Sequence, residues 1–429
     1  MHGKEFIPSA NSTIVDADTF GDPSVRNSVE THATSTGVEV ITPVDENGDG
    51  TNGAQPISQT IKNLEYPSVW LRVPNTSFGI PMGLAGHATM WKAAGNAKFI
   101  SDKVDTELIS FAFWIAALLF GVVFVTAYCV KAVLFFPLVL DEFKDAARIH
   151  FLNMPHLIVI MLTTCVPDNH AGIAMLVENG DQFRSIVFGI SMLIQLALTI
   201  HIGERWMFSG NAYTGCGPPF LISLVAWFLL AVLGTKANVE KQWGIALPTF
   251  CFGIGSVMYF VASFSIFNGI RHEAKGSPAL FLIMTPPSIA IVAWDMITDE
   301  PGEFAILSKL LLGCCLVFFL LLVKIGQQLA SPPPSLGFYW AYVFPVSALS
   351  TGTIRYAARE ANTTTGVLAF AFIAIATIVL LIVMIRVSLH AYQVVIGKAH
   401  WADPLLTQER IALIWLCGRR KREEELDAV

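Results

Sequence analysis

Ten apolar stretches follow one another between residues 76 and 394, and every second one is interrupted by proline. They lie near 76–95, 107–135, 152–167, 183–203, 218–235, 243–270, 278–297, 304–326, 336–359 and 365–394. A membrane-crossing helix needs roughly 20 mostly apolar residues, so these stretches predict an all-α integral membrane protein of ten transmembrane helices. Pro81, Pro155, Pro218, Pro219, Pro286, Pro287 and Pro345 fall in the odd-numbered spans, and Pro248 alone clearly breaks the interior of an even one. Proline removes a backbone donor and clashes with the preceding turn. Kinks are therefore expected at Pro155, Pro219, Pro287 and Pro345. The alternation reads as five helical hairpins, with the kinked helices inside, around a pore, and the straighter ones outside.

Charge supports that reading. Only 14% of the residues are charged and 54% are hydrophobic, against about 25% charged in soluble domains. A net charge of −6 argues against nucleic acid as a partner. The seven cysteines show no CxxC and no ligand spacing, so they read as small core residues. No apolar signal-peptide core follows Met1.

Residues 1–73 are rich in Ser, Thr, Asn, Asp and Gly and predict a disordered cytoplasmic tail. DENGDG at 45–50 imitates the start of a calcium loop, but Pro56 stands where the bidentate glutamate belongs. The channel domain is expected over 74–396 and a cytoplasmic tail over 397–429. In that tail Trp401, Leu405, Leu406, Ile411 and Leu413 suit an interfacial helix, and GRRKR at 418–422 would meet anionic lipid. Lys144, Arg148, Arg205, Arg271 and Lys275 follow even spans, which puts both termini in the cytoplasm. Lys236 and Lys241, after the fifth span, are exceptions. Asn362, in NTT, would then face outside as a glycosylation acceptor.

Enzyme chemistry finds no foothold. There is no HxxxH pair for a metal, no GxxxxGK[ST] loop for a phosphate and no GxSxG elbow. No catalytic residue, metal or cofactor is expected. Transport fits better. Anion permeation needs a path free of carboxylates, some positive potential, and sites weak enough to release the ion. The odd spans almost lack acidic residues. Asp295 is the exception, and an ion pair with a neighbouring cation is its plainer role. Lys92 and Arg355 fall at the outer ends of the first and ninth spans, where snorkelling toward headgroups is the plainer role. On a helical wheel Phe344, Ser347, Thr351 and Arg355 share one face, at spacings of three, four and four.

Four strings, in order, carry a family resemblance: SFGIPMGLAGHATMW at 77–91, ERWMFSG at 204–210, PALFLIMTPPSIAIVAW at 278–294 and WAYVFP with STGTIRYA at 340–357. They resemble the slow-type anion channels of plant guard cells and the bacterial TehA-type proteins, a family that includes tellurite-resistance and dicarboxylate transporters. The resemblance covers roughly residues 74–396. It implies a homotrimer in membrane lipid, most simply the plasma membrane, with one pore per subunit conducting chloride or nitrate. It also implies that the phenylalanine before the ninth-helix proline, here Phe344, is the gate. Phe78 and Phe228 are further pore-lining candidates, with Ser347, Thr351, Lys92 and Arg355. A kinase acting on the N-terminal tail is a further expected partner. The alternative is a secondary transporter exporting malate-like dicarboxylates or sulfite. A proton-coupled carrier would draw on His87 or His156. The fifth helix departs from the family: this chain has AWFLLA at 226–231 where plant members read like GNFVGA. Trp227 in place of a small amide bears on pore width.

Overall fold

The computed structural model describes residues 75–134, 136–144, 149–167, 180–208, 218–243, 246–273, 278–299, 303–329 and 339–395. The expectations for the tails over 1–73 and 397–429 lie outside them. The described residues are helical, with no strand among them. The principal helices are α1 (Gly79–Gly95), α2 (Thr106–Leu134), α3 (Met154–Thr164), α4 (Gly180–Phe208), α5 (Phe220–Lys236), α6 (Leu247–Glu273), α7 (Thr285–Thr298), α8 (Ile306–Leu329), α9 (Trp340–Glu360) and α10 (Thr363–Val395). Each coincides with one of the apolar stretches. Six segments are long and apolar enough to cross a membrane: Thr106–Leu134, Gly180–Arg205, Leu247–Phe267, Ala279–Thr298, Ile306–Lys324 and Thr363–Leu389. Ile149–Thr164 and Phe220–Lys236 are apolar but shorter.

Local signals set the ends. Asp105 caps α2 by accepting the Leu108 N–H at 3.0 Å, and Asn362 caps α10 by accepting that of Thr365 at 2.9 Å. Helices α7 and α9 stop at the left-handed residues Asp299 (φ 37°) and Ala361 (φ 48°). The prolines fall in two kinds of place. Pro155 and Pro287 occupy the first turns of α3 and α7, directly after the 3-10 segments Ile149–Asn153 and Pro278–Met284. Pro219 is the N-cap of α5. In those positions the missing N–H leaves no helical carbonyl without its partner. Pro345 lies inside α9, where it does.

The odd helices touch in cyclic order: α1 on α3, α3 on α5, α5 on α7, α7 on α9, and α9 back on α1. Each also packs on the helix that follows it in sequence. Burial follows the same division. Fifteen consecutive residues of α5, Phe220 to Gly234, are buried. The helices outside the ring bare large apolar side chains, among them Leu119 at 62%, Phe260 at 77% and Leu310 at 63% exposure. Such surface has no place in water and suits acyl chains.

Candidate functional site

All five odd helices line one narrow cavity of ≈ 40 Å³. Its walls are tiered. Gly86, Met161, Leu229, Ile289 and Ala348 form one tier, and three residues later on every helix come Thr89, Thr164, Val232, Val292 and Thr351. Contacts show a shared direction for three of them: Gly83 and then Gly86 of α1 meet Trp340 and then Phe344 of α9, and Ile291 and then Asp295 of α7 meet Gly352 and then Arg355. Phe344, one turn before Ala348, lies at the other end of the α9 wall. Its ring is 2% exposed.

Glycine makes room for that ring. A methyl group at Gly86 would come within 3.1 Å of Phe344 Cδ2 and would collide with the Ser347 hydroxyl. One at Gly83 would lie 2.6 Å from Trp340. Both glycines let α1 lie directly on α9. The threonines are tied to their own helices: Thr89 donates to the Ala85 carbonyl, Thr164 to Ile160 and Thr351 to Ser347, at 2.7–2.9 Å. Ser347 donates to the Phe344 carbonyl at 2.9 Å. Their hydroxyl oxygens soften an apolar wall without adding charge. No lining side chain titrates.

One turn past the threonine tier, the same faces carry charge. Lys92 follows Thr89 by three residues, Lys236 follows Val232 by four, Arg355 follows Thr351 by four, and Asp295 follows Val292 by three. Lys236 Nζ donates to the Thr164 carbonyl at 2.8 Å, and Lys92 Nζ donates to Val166. Thr164 is the last residue of α3 and Val166 follows it by two, at a helix end whose unpaired carbonyls and dipole favour cations. Arg355 is bound to Asp295, its Nε 2.6 Å from Oδ2. Arg359 reaches the other Asp295 oxygen at 3.5 Å and Asp299 at 2.8 Å. The ion-pair role for Asp295 is therefore the one found, and its partners are Arg355 and Arg359.

The other sequence candidates lie elsewhere. Phe78 packs edge-on against Phe124 and Tyr128 of α2, at 6.2 and 6.0 Å between ring centres. Phe228 packs against Phe252 of α6 at 5.5 Å. Neither reaches the cavity that Phe344 lines. Trp227 points away from it too, its indole N–H donating to Thr199 Oγ1 on α4 at 3.1 Å, so Leu229 and Val232 set the width there. His87 is buried between α1 and α10, its ring nitrogens 3.1 Å from the Gly83 carbonyl and 3.2 Å from that of Ala376. His156 stands in the first turn of α3; neither histidine lines the cavity. Lys236 is the residue that sequence reasoning left aside. Its signal was present, as the basic exception in the loop-charge pattern.

Comparison with known proteins gives a consistent answer. The sequence model of the voltage-dependent anion channel family matches residues 72–388. The S-type anion channels SLAH2 and SLAH3 of Arabidopsis thaliana are each 26% identical to this chain, over 75% and 80% of it. The guard cell S-type anion channel SLAC1 of the same plant is 24% identical over 77%. The chain spans only 60%, 55% and 58% of the lengths of these three relatives. The tellurite resistance protein TehA homolog of Haemophilus influenzae is 21% identical over 70% of this chain and 86% of its own length. The family and the three plant relatives are anion channels by name and not enzymes. The tiered cavity, the apolar outer helices and a match that runs through both place the chain in the voltage-dependent anion channel family.

Proposed function

We propose that this chain is a passive anion channel that conducts chloride and nitrate through the centre of the odd-helix ring. The observation that carries this reading is the cavity itself. Five helices face it with apolar and hydroxyl groups, no carboxylate lines it, and Lys92, Lys236 and Arg355 stand one turn beyond it. Anions gain from such a positive approach and from weak sites inside. All ten helices cross the membrane as five hairpins, the odd ones inside. Phe344 is the gate, since a ring across a narrow bore excludes water and so raises the barrier to an ion. Both termini are cytosolic, where a kinase can reach the N-terminal tail. The assembly is a plasma-membrane homotrimer with a path in each subunit. Phe78 and Phe228 serve the pairing of inner with outer helices. A proton-coupled carrier would need a titratable group in the cavity wall, and the passive reading is preferred because none stands there.

Recording from purified protein in a planar bilayer tests this. Unitary currents whose reversal potential follows the chloride or nitrate gradient are expected. Flux with fixed proton stoichiometry and no unitary events would overturn the channel reading. A tag at residue 362 is expected to label in intact cells; labelling only after permeabilisation would contradict the topology.

A further inference from the structure

The mouth beyond the threonine tier holds a carboxylate where an anion path would least tolerate one. Asp295 follows Val292 along the cavity face of α7, and its side chain is 2% exposed. Two donors of Arg355, Nε and an NH2 group, converge on its Oδ2. Arg355 is itself 23% exposed and one turn from Thr351. We infer that Asp295 is a tethered competitor of the permeant anion: its carboxylate occupies the guanidinium that would otherwise hold an ion at the mouth. It thereby sets the anion concentration at which conduction saturates. This inference rests on the anion-channel reading above.

The chemistry is that of substitution. A guanidinium offers planar, charge-assisted donors that take a carboxylate, a nitrate or a halide at the same edge. An ion arriving at Arg355 must displace Asp295 or share the group with it. Lys92 and Lys236 reach carbonyls of the α3 end and its continuation, so the Asp295 carboxylate bears on Arg355 and Arg359. A purely structural tie between α7 and α9 is the simpler role for the pair. Yet these helices have other ties: Arg359 reaches from α9 to Asp299 at 2.8 Å, just past the end of α7, and Gly352 lets Ile291 approach. Arg359 also lies 3.5 Å from Asp295, on the side away from Thr351 in sequence. An anion that took the place of the carboxylate would therefore leave Asp295 with a second cation to pair with.

The test is Asp295→Asn in the full-length protein, reconstituted in bilayers over a range of chloride concentrations. Asparagine keeps the shape and removes the charge. The half-saturating chloride concentration should fall roughly threefold or more, since removing a competing charge acts on encounter and occupancy. The gain should shrink at high salt and vanish in Asp295→Asn combined with Arg355→Gln. A variant that assembles normally but saturates at the same or a higher concentration overturns the inference. A protein that carries no anion current at all would sink the channel reading instead. The competition is then decided by melting purified protein in chloride against a non-binding anion. Greater stabilisation of Asp295→Asn than of the parent by chloride supports it, and equal shifts overturn it.

Discussion

In the Ala279–Thr298 segment, at the ring, 83% of the most apolar stretch is buried inside the protein; in α2, α4 and α8 the figure is 22%. Yet the ring segment is the least apolar of the six spans. Helices α1 and α9 do not qualify as spans by composition at all, although α9 is buried along Val343 to Ile354. In water the more apolar helix would be the more buried one. Here the surroundings of the outer helices are lipid, which rejects polar groups, and those of the inner helices are protein, which can satisfy them. Inner helices are thus free to carry Ser347, Thr351 and His87. Their close approach rests on small residues such as Gly83 and Gly86, whereas Gly203, Gly253, Gly313 and Gly366 on the outer helices meet nothing within 4 Å.

An exception sharpens the contrast. On outer helix α2, Lys131 is buried and pairs with Glu142 at 2.6 Å, while Tyr128 donates to the other Glu142 oxygen at 3.2 Å. Burial of charge outside the ring should therefore depend wholly on its partner. Lys131→Met takes this buried cation from Glu142 and should cost up to roughly 3–5 kcal/mol, read as a large fall in melting temperature in detergent. Lys131→Met with Glu142→Gln should recover much of it; no recovery would refute the pairing.

Next in size is the glycine contrast. Gly86→Ala forces a methyl group against Phe344 and Ser347 and should destabilise by about 1–3 kcal/mol. Gly313→Ala on α8 meets nothing within 4 Å and should be neutral or stabilising by up to about 1 kcal/mol. Equal effects in melting experiments would remove the basis for separating the two sets. The smallest expected effect is electrostatic. Lys236→Gln should lower anion current at low salt, and the loss should fade as the screening length drops below about 10 Å above 0.1 M salt. A loss independent of salt would point to the α3 cap that Lys236 makes, not to its field.

Much of this architecture could be read in the chain. Helix positions followed from apolar stretches, and the proline-bearing odd helices are the ones that touch in cyclic order. The prolines did not act alike, however. At Pro155, Pro219 and Pro287 the helix starts anew, and only Pro345 sits within one. Sequence gives the missing donor but not the place where winding changes from 3-10 to α. A shared face was legible where one helix carried it: Phe344 and Thr351 of α9 line the same cavity. It was illegible where neighbours decide: a wheel cannot tell whether Phe78 and Phe228 face the centre or the partner helix. Nor could it show that Arg355 spends its donors on Asp295, 60 residues away. The step of three that repeats across five helices became visible only once all five lined one cavity.

The central claim is that the ring encloses the ion path and Phe344 closes it. Phe344→Ala, set beside Phe260→Ala on outer helix α6, tests it most directly through anion current normalised to surface protein. Phe344→Ala should raise basal conductance several-fold to tenfold, since a barrier lower by about 1.4 kcal/mol suffices for tenfold. Phe260, 77% exposed, should change nothing. If Phe344→Ala reaches the membrane as a normal oligomer and conducts no more than the parent, the path does not run past this ring.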